Sequence, residues 1–248
     1  MFRQIATAAT FVIAALPAAA QCIGDSYLDR LTEAQQAELT AAGADLPYAE
    51  GRIWTATKGA DTVTIVGTMH IYDPRLDTIA NSVTEPITTA DLLLVEATDE
   101  DEAALQRLIA EEPERLFIVD GPTLPDLLEE DTWTMLSQAA TERGVPGFMA
   151  AKMQPWYLSL LLAIPTCAMA DLTAGAPGLD KMLMNLAAAS DVPVKSVEPY
   201  TTLFDIFGDE PVSEQIDMLR VNLMVPDLQQ EMFVAMLGRF FAEDVGSL

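Results

Sequence analysis

Asp91–Glu96 reads DLLLVE, and no other stretch restricts the fold as tightly. An unbroken apolar run of strand length, closed by an acid, reads as a β-strand buried on both faces. The segments around it alternate. Arg52–Thr57 (RIWTAT) and Thr62–Val66 (TVTIV) are short strand-forming runs joined by the turn Lys58–Asp61, which predicts a hairpin. Leu116–Val119 and Asp191–Val197 predict further short strands. Helices are predicted over Asp25–Ala42, over Pro74–Thr89, from Thr98 onward, and over Leu124–Arg143, the last closed by Gly144 and Pro146. Another starts at Gly178, and Glu210–Asp244 predicts two helices broken at Pro226. The predicted class is mixed α/β, with a partly parallel central sheet flanked by helices and a helical C-terminal region.

The N-terminus predicts an export signal over residues 1–20. Arg3 is its basic start, Ile5–Leu16 its apolar run, and Ala18 and Ala20 the small residues before the cut. The apolar run is short for a bilayer core of roughly 30 Å, so no integral span is expected after cleavage. Residues 21–248 are then one domain, with half its residues hydrophobic and so a sizeable core. The predicted location is periplasmic or secreted. In an oxidising compartment Cys22 and Cys167, the two cysteines, predict a disulfide tying the N-terminus to the core. The chain holds 38 acidic against 13 basic residues, a net charge of −25. That sign argues against nucleic acid and anionic lipid as partners. The acids of Asp99–Glu102 read as a solvated helix start capped by Thr98 rather than as a metal site. Met153–Ala170 is uncharged, but Pro155 and Pro165 interrupt it, and it reads as a buried helix.

The one histidine, His70, follows the strand Thr62–Val66 after a break at Gly67. Glu96 and Glu198 stand at the ends of Asp91–Glu96 and Asp191–Val197. Ligands bind at the carboxyl ends of strands in open α/β sheets, so these side chains are expected to face one cleft.

The same residues carry a family pattern: GTMHIYDPR (Gly67–Arg75), LLLVEA (Leu92–Ala97), KMQPWYLSLLL (Lys152–Leu162), GLDKML (Gly178–Leu183) and VKSVEP (Val194–Pro199). In that order and spacing the chain resembles the TraB/GumN family, related to the Tiki metalloproteases. The resemblance implies an exported α/β protein with metal-dependent, peptidase-like hydrolysis, its Gly-x-x-His at Gly67 and His70 and its strand-end acid at Glu96. The family's usual second Gly-x-x-His, in its C-terminal part, has no counterpart here, since His70 is the sole histidine. A chain truncated at its C-terminus and a protein that has lost half of its site are the two readings of that departure.

A catalytic zinc needs three protein ligands and an open position. His70, Glu96 and Glu198 offer one nitrogen and two carboxylates, a set that also suits manganese or iron. Asp180, at a helix start, is expected to cap it or to orient a ligand. Arg75 and Lys152 are expected to hold a substrate carboxylate or to pair with the acids. The competing expectation is that His70 orders a loop with Glu96 as its acceptor. G-x-S-x-G, H-E-x-x-H, a Walker A loop and a dinucleotide fingerprint are all absent. Two functions follow: a metal-dependent hydrolase of a peptide or small molecule, and a non-catalytic periplasmic binding or accessory protein.

Overall fold

The structure is a computed structural model that describes residues 22–44, 46–224 and 226–247. The predicted signal, residues 1–20, lies outside them. The chain is a mixed α/β fold with a helical C-terminal region. Its strands are few. β1 (Ile53–Lys58) and β2 (Asp61–Val66) form the expected antiparallel hairpin, in register from Ile53↔Val66 to Lys58↔Asp61. Gly59 supplies the positive φ that the tight turn needs, at 66°. β3 (Leu93–Val95) pairs in parallel with β4 (Val194–Ser196).

Three expectations are corrected here. The strands do not share one central sheet: the hairpin and the parallel pair are separate two-stranded ladders. The stretch around Leu116–Val119 contributes only a single antiparallel bridge, Phe117↔Met153. β3 is also not buried on both faces. Leu93 packs against the core, but Leu94 points the other way and is 55% exposed, because a ladder of two short strands offers little for a second face to pack against.

Helices make the rest. α1 is Glu33–Ala44, α2 Leu76–Ser82 and α3 Thr84–Thr88. α4, Asp99–Glu111, begins with the predicted Thr98 cap, which the structure extends to a reciprocal box: Thr98 Oγ1 accepts from the Asp101 N–H, and the Asp101 carboxylate accepts from the Thr98 N–H. α5 (Leu124–Leu127) and α6 (Glu130–Glu142) replace the single predicted helix, since Leu128 and Glu129 are extended. α7 is Gly147–Ala150 and α8 Pro155–Ala163. Pro165 stops α8 by removing an N–H and restricting Ile164. The chain resumes through a 3₁₀ turn into α9 (Met169–Thr173), bent by 77°. Among the described residues no single helix is long and apolar enough to cross a membrane; this bent pair passes on length and composition alone. α10 is Leu179–Ala189, α11 Val212–Met224 and α12 Pro226–Phe241.

The apolar stripes of these helices form two main cores. Leu76 and Ile79 of α2 and Val83 just after it meet Leu179 and Leu183 of α10 and Phe233, Leu237 and Phe240 of α12. Leu136 and Ala140 of α6 meet Leu158 and Leu162 of α8 and Ile216 and Leu219 of α11. Cys22 and Cys167 are bonded, their Cα atoms 5.2 Å apart, so the start of the described chain is fastened beside α9.

Candidate functional site

β2 ends at Val66, and the Gly67 N–H donates to the Arg52 carbonyl at 2.8 Å, the last bond to the opposite strand. The backbone then leaves the ladder and passes under the N-terminus of α10. The approach is close. A Cβ on Gly178 would lie 2.4 Å from the His70 carbonyl oxygen and 2.6 Å from that of Met69. Only glycine allows this contact. It lets the Leu179 N–H donate to the Met69 carbonyl at 2.8 Å, with Leu179 itself fully buried.

That docking sets the side chains. Asp180, next along α10, places Oδ1 3.1 Å from His70 Nδ1. Glu96, the residue after β3, places Oε2 3.1 Å from His70 Nε2. The imidazole is thus held between two carboxylates from two other elements. The ring and Glu96 are about two-thirds exposed and Asp180 is half-buried, with side-chain exposures of 65%, 67% and 30%. Lys181 pairs with Asp99 and ties the start of α10 to the start of α4.

The electrostatics follow. The hydrogen bond that His70 donates to Asp180, opposed by burial and aided by the charges of Asp180 and Glu96, raises the His70 pKa from 6.5 to about 8. At neutral pH the ring is an imidazolium, and both N–H groups donate. Burial pulls the Asp180 carboxyl upward, but the hydrogen bond and charge of His70 outweigh it and hold it below the usual carboxylate range.

His70, Glu96 and Asp180 meet; the other residues singled out in the sequence do not join them. Glu198 is exposed and forms no ion pair with His70, although it leaves the same end of the parallel pair as Glu96. Arg75 is committed elsewhere: its Nε and Nη2 both donate at 2.8 Å to the carboxylate of buried Asp73, and its face lies 3.8 Å from the Phe241 ring centroid. Lys152 is exposed beside Phe117, Ile118, Val119, Phe148 and Met149, at a shallow groove of about 390 Å³. The expected route to one cleft, neighbouring strand ends in one sheet, is not the route taken. β2 and β3 are in different ladders, and α10 joins them: it packs on β3 and takes the loop after β2 at Gly178.

The fit to a metal can be judged from the donors. His70 has the orientation of a metal-binding histidine, one nitrogen fixed by a carboxylate and the other facing out. The outward nitrogen, however, is answered by a single acid. Among the described residues no group of three or more His, Cys, Asp or Glu side chains is disposed to hold an ion. Two donors fall short of a catalytic zinc set, and the residues as arranged do not fit one.

The profile of the TraB/PrgY/gumN family matches residues 52–248, nearly the whole stretch described. The chain belongs to the TraB/PrgY/gumN family. All of the site lies inside the matched region. No curated protein and no solved structure matches this TraB/PrgY/gumN-family chain.

Proposed function

We propose that this TraB/PrgY/gumN-family protein is an exported hydrolase of a peptide or small-molecule substrate, working at His70 and Glu96. The observation that carries the reading is the pose of the single histidine: Asp180 fixes Nδ1 from behind, and Nε2 faces an exposed carboxylate. Asp180 holds the ring charged at neutral pH, so Nε2–H can protonate a leaving group. The Glu96 carboxylate can take the proton of an attacking water once substrate parts it from the ring. Asp180 acts through His70 as a positioning residue. The bridge between Cys22 and Cys167 supports export, since such bonds persist in oxidising compartments.

A second reading has its own observation. Both nitrogens of His70 are already occupied, and the described residues hold no three-ligand set. That arrangement suits a periplasmic binding or accessory protein in which the cluster only orders a loop.

One experiment separates them. The purified mature protein is incubated with a mixed peptide library, alone and with zinc, manganese or iron(II), and products are followed by mass spectrometry. The metal content of the protein is measured alongside. Hydrolysis lost in His70→Ala and in Glu96→Gln, with melting curves retained, supports the enzyme. If it proceeds without added or bound metal, the two side chains suffice. If wild type cleaves nothing under any condition, the hydrolase reading fails and the binding reading stands.

A further inference from the structure

The chain's acids outnumber its bases about threefold, and most of its arginines face one. Arg30, Arg52, Arg75, Arg115, Arg220 and Arg239 each have a carboxylate within 4.0 Å. Arg143 does not, yet it is the buried one, 7% exposed. A buried cation without an anion is costly unless neutral acceptors and oriented dipoles compensate. Here they do so in part. Nε donates to the Ile164 carbonyl at 2.8 Å, Nη1 to Ala139 at 3.0 Å and Nη2 to Leu162 at 3.0 Å. These carbonyls lie at or just past the C-terminal ends of α6 and α8, which carry partial negative charge. The remaining acceptor is a side chain, Gln229 Oε1, 2.9 Å from Nη2. A guanidinium has five N–H donors; four are used, and one Nη1–H is not.

That guanidinium borders a half-enclosed cavity of about 320 Å³, within the range of small-molecule sites. Its polar wall is Glu142, Thr166, Asn222, Gln229 and Gln230, with apolar cover from Leu162, Pro165 and Leu223. One fixed cation, one acid at the rim and three amides form a set of opposite charges and adaptable hydrogen bonders. We propose that this cavity binds a small zwitterion of dipeptide size, its carboxylate on Arg143 and its ammonium on Glu142. The carboxylate takes the spare Nη1–H and displaces Gln229 from Nη2, giving the guanidinium the charged partner that the chain withholds. Asn222, Gln229 and Gln230 receive the peptide group. The site shares no residue with the His70 cluster, so it stands or falls independently of the hydrolase reading.

The test is calorimetric titration of the mature, disulfide-bonded protein with L-alanyl-L-alanine and, separately, propionate. The dipeptide is expected to bind with millimolar or tighter affinity, and propionate more weakly. Thr166→Phe fills the mouth from an exposed position and should remove saturable binding of both. Gln230→Glu, which adds a negative charge to the polar wall, should weaken propionate and serves if Thr166→Phe fails to fold. Glu142→Gln should weaken the dipeptide about threefold to fivefold, the scale of an exposed ion pair, and leave propionate unchanged. No saturable heat with wild type, binding unaffected in the folded pocket variants, or equal dipeptide affinity in Glu142→Gln each overturns the proposal.

Discussion

Gly178→Ala should be far more damaging than one methyl group suggests. Gly178 has φ −66° and ψ 174°, a conformation open to any residue. At such a position replacing glycine by alanine ordinarily stabilises by about 0.4–1 kcal/mol, through the unfolded chain. Here the added Cβ would sit 2.4 Å from the His70 carbonyl oxygen and 2.6 Å from the His70 carbonyl carbon. Both are backbone atoms and cannot swing aside. The start of α10 must back away, which costs about 1–3 kcal/mol as overpacking. The hydrogen bond from Leu179 N–H to Met69 O, now 2.8 Å, is lost with it, about 1 kcal/mol more. A net loss of about 2–3 kcal/mol, a fall of roughly 5–10 °C in Tm, is expected. Asp180 should also draw away from His70, so the histidine pKa should drop from about 8 toward 6.5. Thermal melts and an NMR titration read the two effects. A neutral or stabilising Gly178→Ala would refute the close-approach reasoning, whatever happened to the histidine.

Leu136→Ala, at a fully buried position in the other core, should cost about 2–5 kcal/mol yet leave the His70 titration unmoved; a shifted titration would mean that the site senses global packing. Replacing both Cys22 and Cys167 with serine opens a link between residues 145 apart in sequence and should cost about 2–4 kcal/mol, while thiol titration of the unreduced wild type should find none free. The stability that wild type holds over Asp180→Asn should depend on pH in a defined window. His70, with its pKa raised to about 8, contributes fully below 6.5 and loses the contribution as pH rises through about 8. Asp180, lowered from 3.8, loses its part only as pH falls through its folded value below that. The difference should therefore be largest between about pH 4 and 6.5; screening around the exposed ring holds it to about 1 kcal/mol, and denaturant melts across pH measure it. Mass spectrometry of the exported chain should find Gln21 at its start; an intact Met1 would contradict the predicted cleavage.

The parts legible in the sequence were those set by local chemistry. The hairpin is written in its β-branched runs and glycine turn, and the start of α4 in Thr98 and its acids. His70 and Glu96 stand out because each lies at or just past the end of a strand. What decided their meeting was not local. Gly178 reads as a helix start, and nothing in its neighbours shows that Met69 and His70 lie against it from more than a hundred residues away. The assumption of one sheet failed for the same reason: DLLLVE specifies a strand but not its partners, and the ladder that formed has only two. In the sequence Arg143 reads only as the last residue of the predicted helix, and it follows α6 directly. A basic residue at that point, before Gly144, is also what takes up helix-end carbonyls, and its burial came from α8 folding over it.

The central claim is that three separate elements converge to hold His70 as a charged acid at neutral pH. The chain's single histidine makes this directly measurable, since the mature protein, purified without a histidine tag, gives one imidazole resonance to follow against pH. The predicted result is a titration near pH 8 that falls on Asp180→Asn and, to a smaller degree, on Glu96→Gln. A wild-type titration at or below 6.5, unmoved by either substitution, would contradict it.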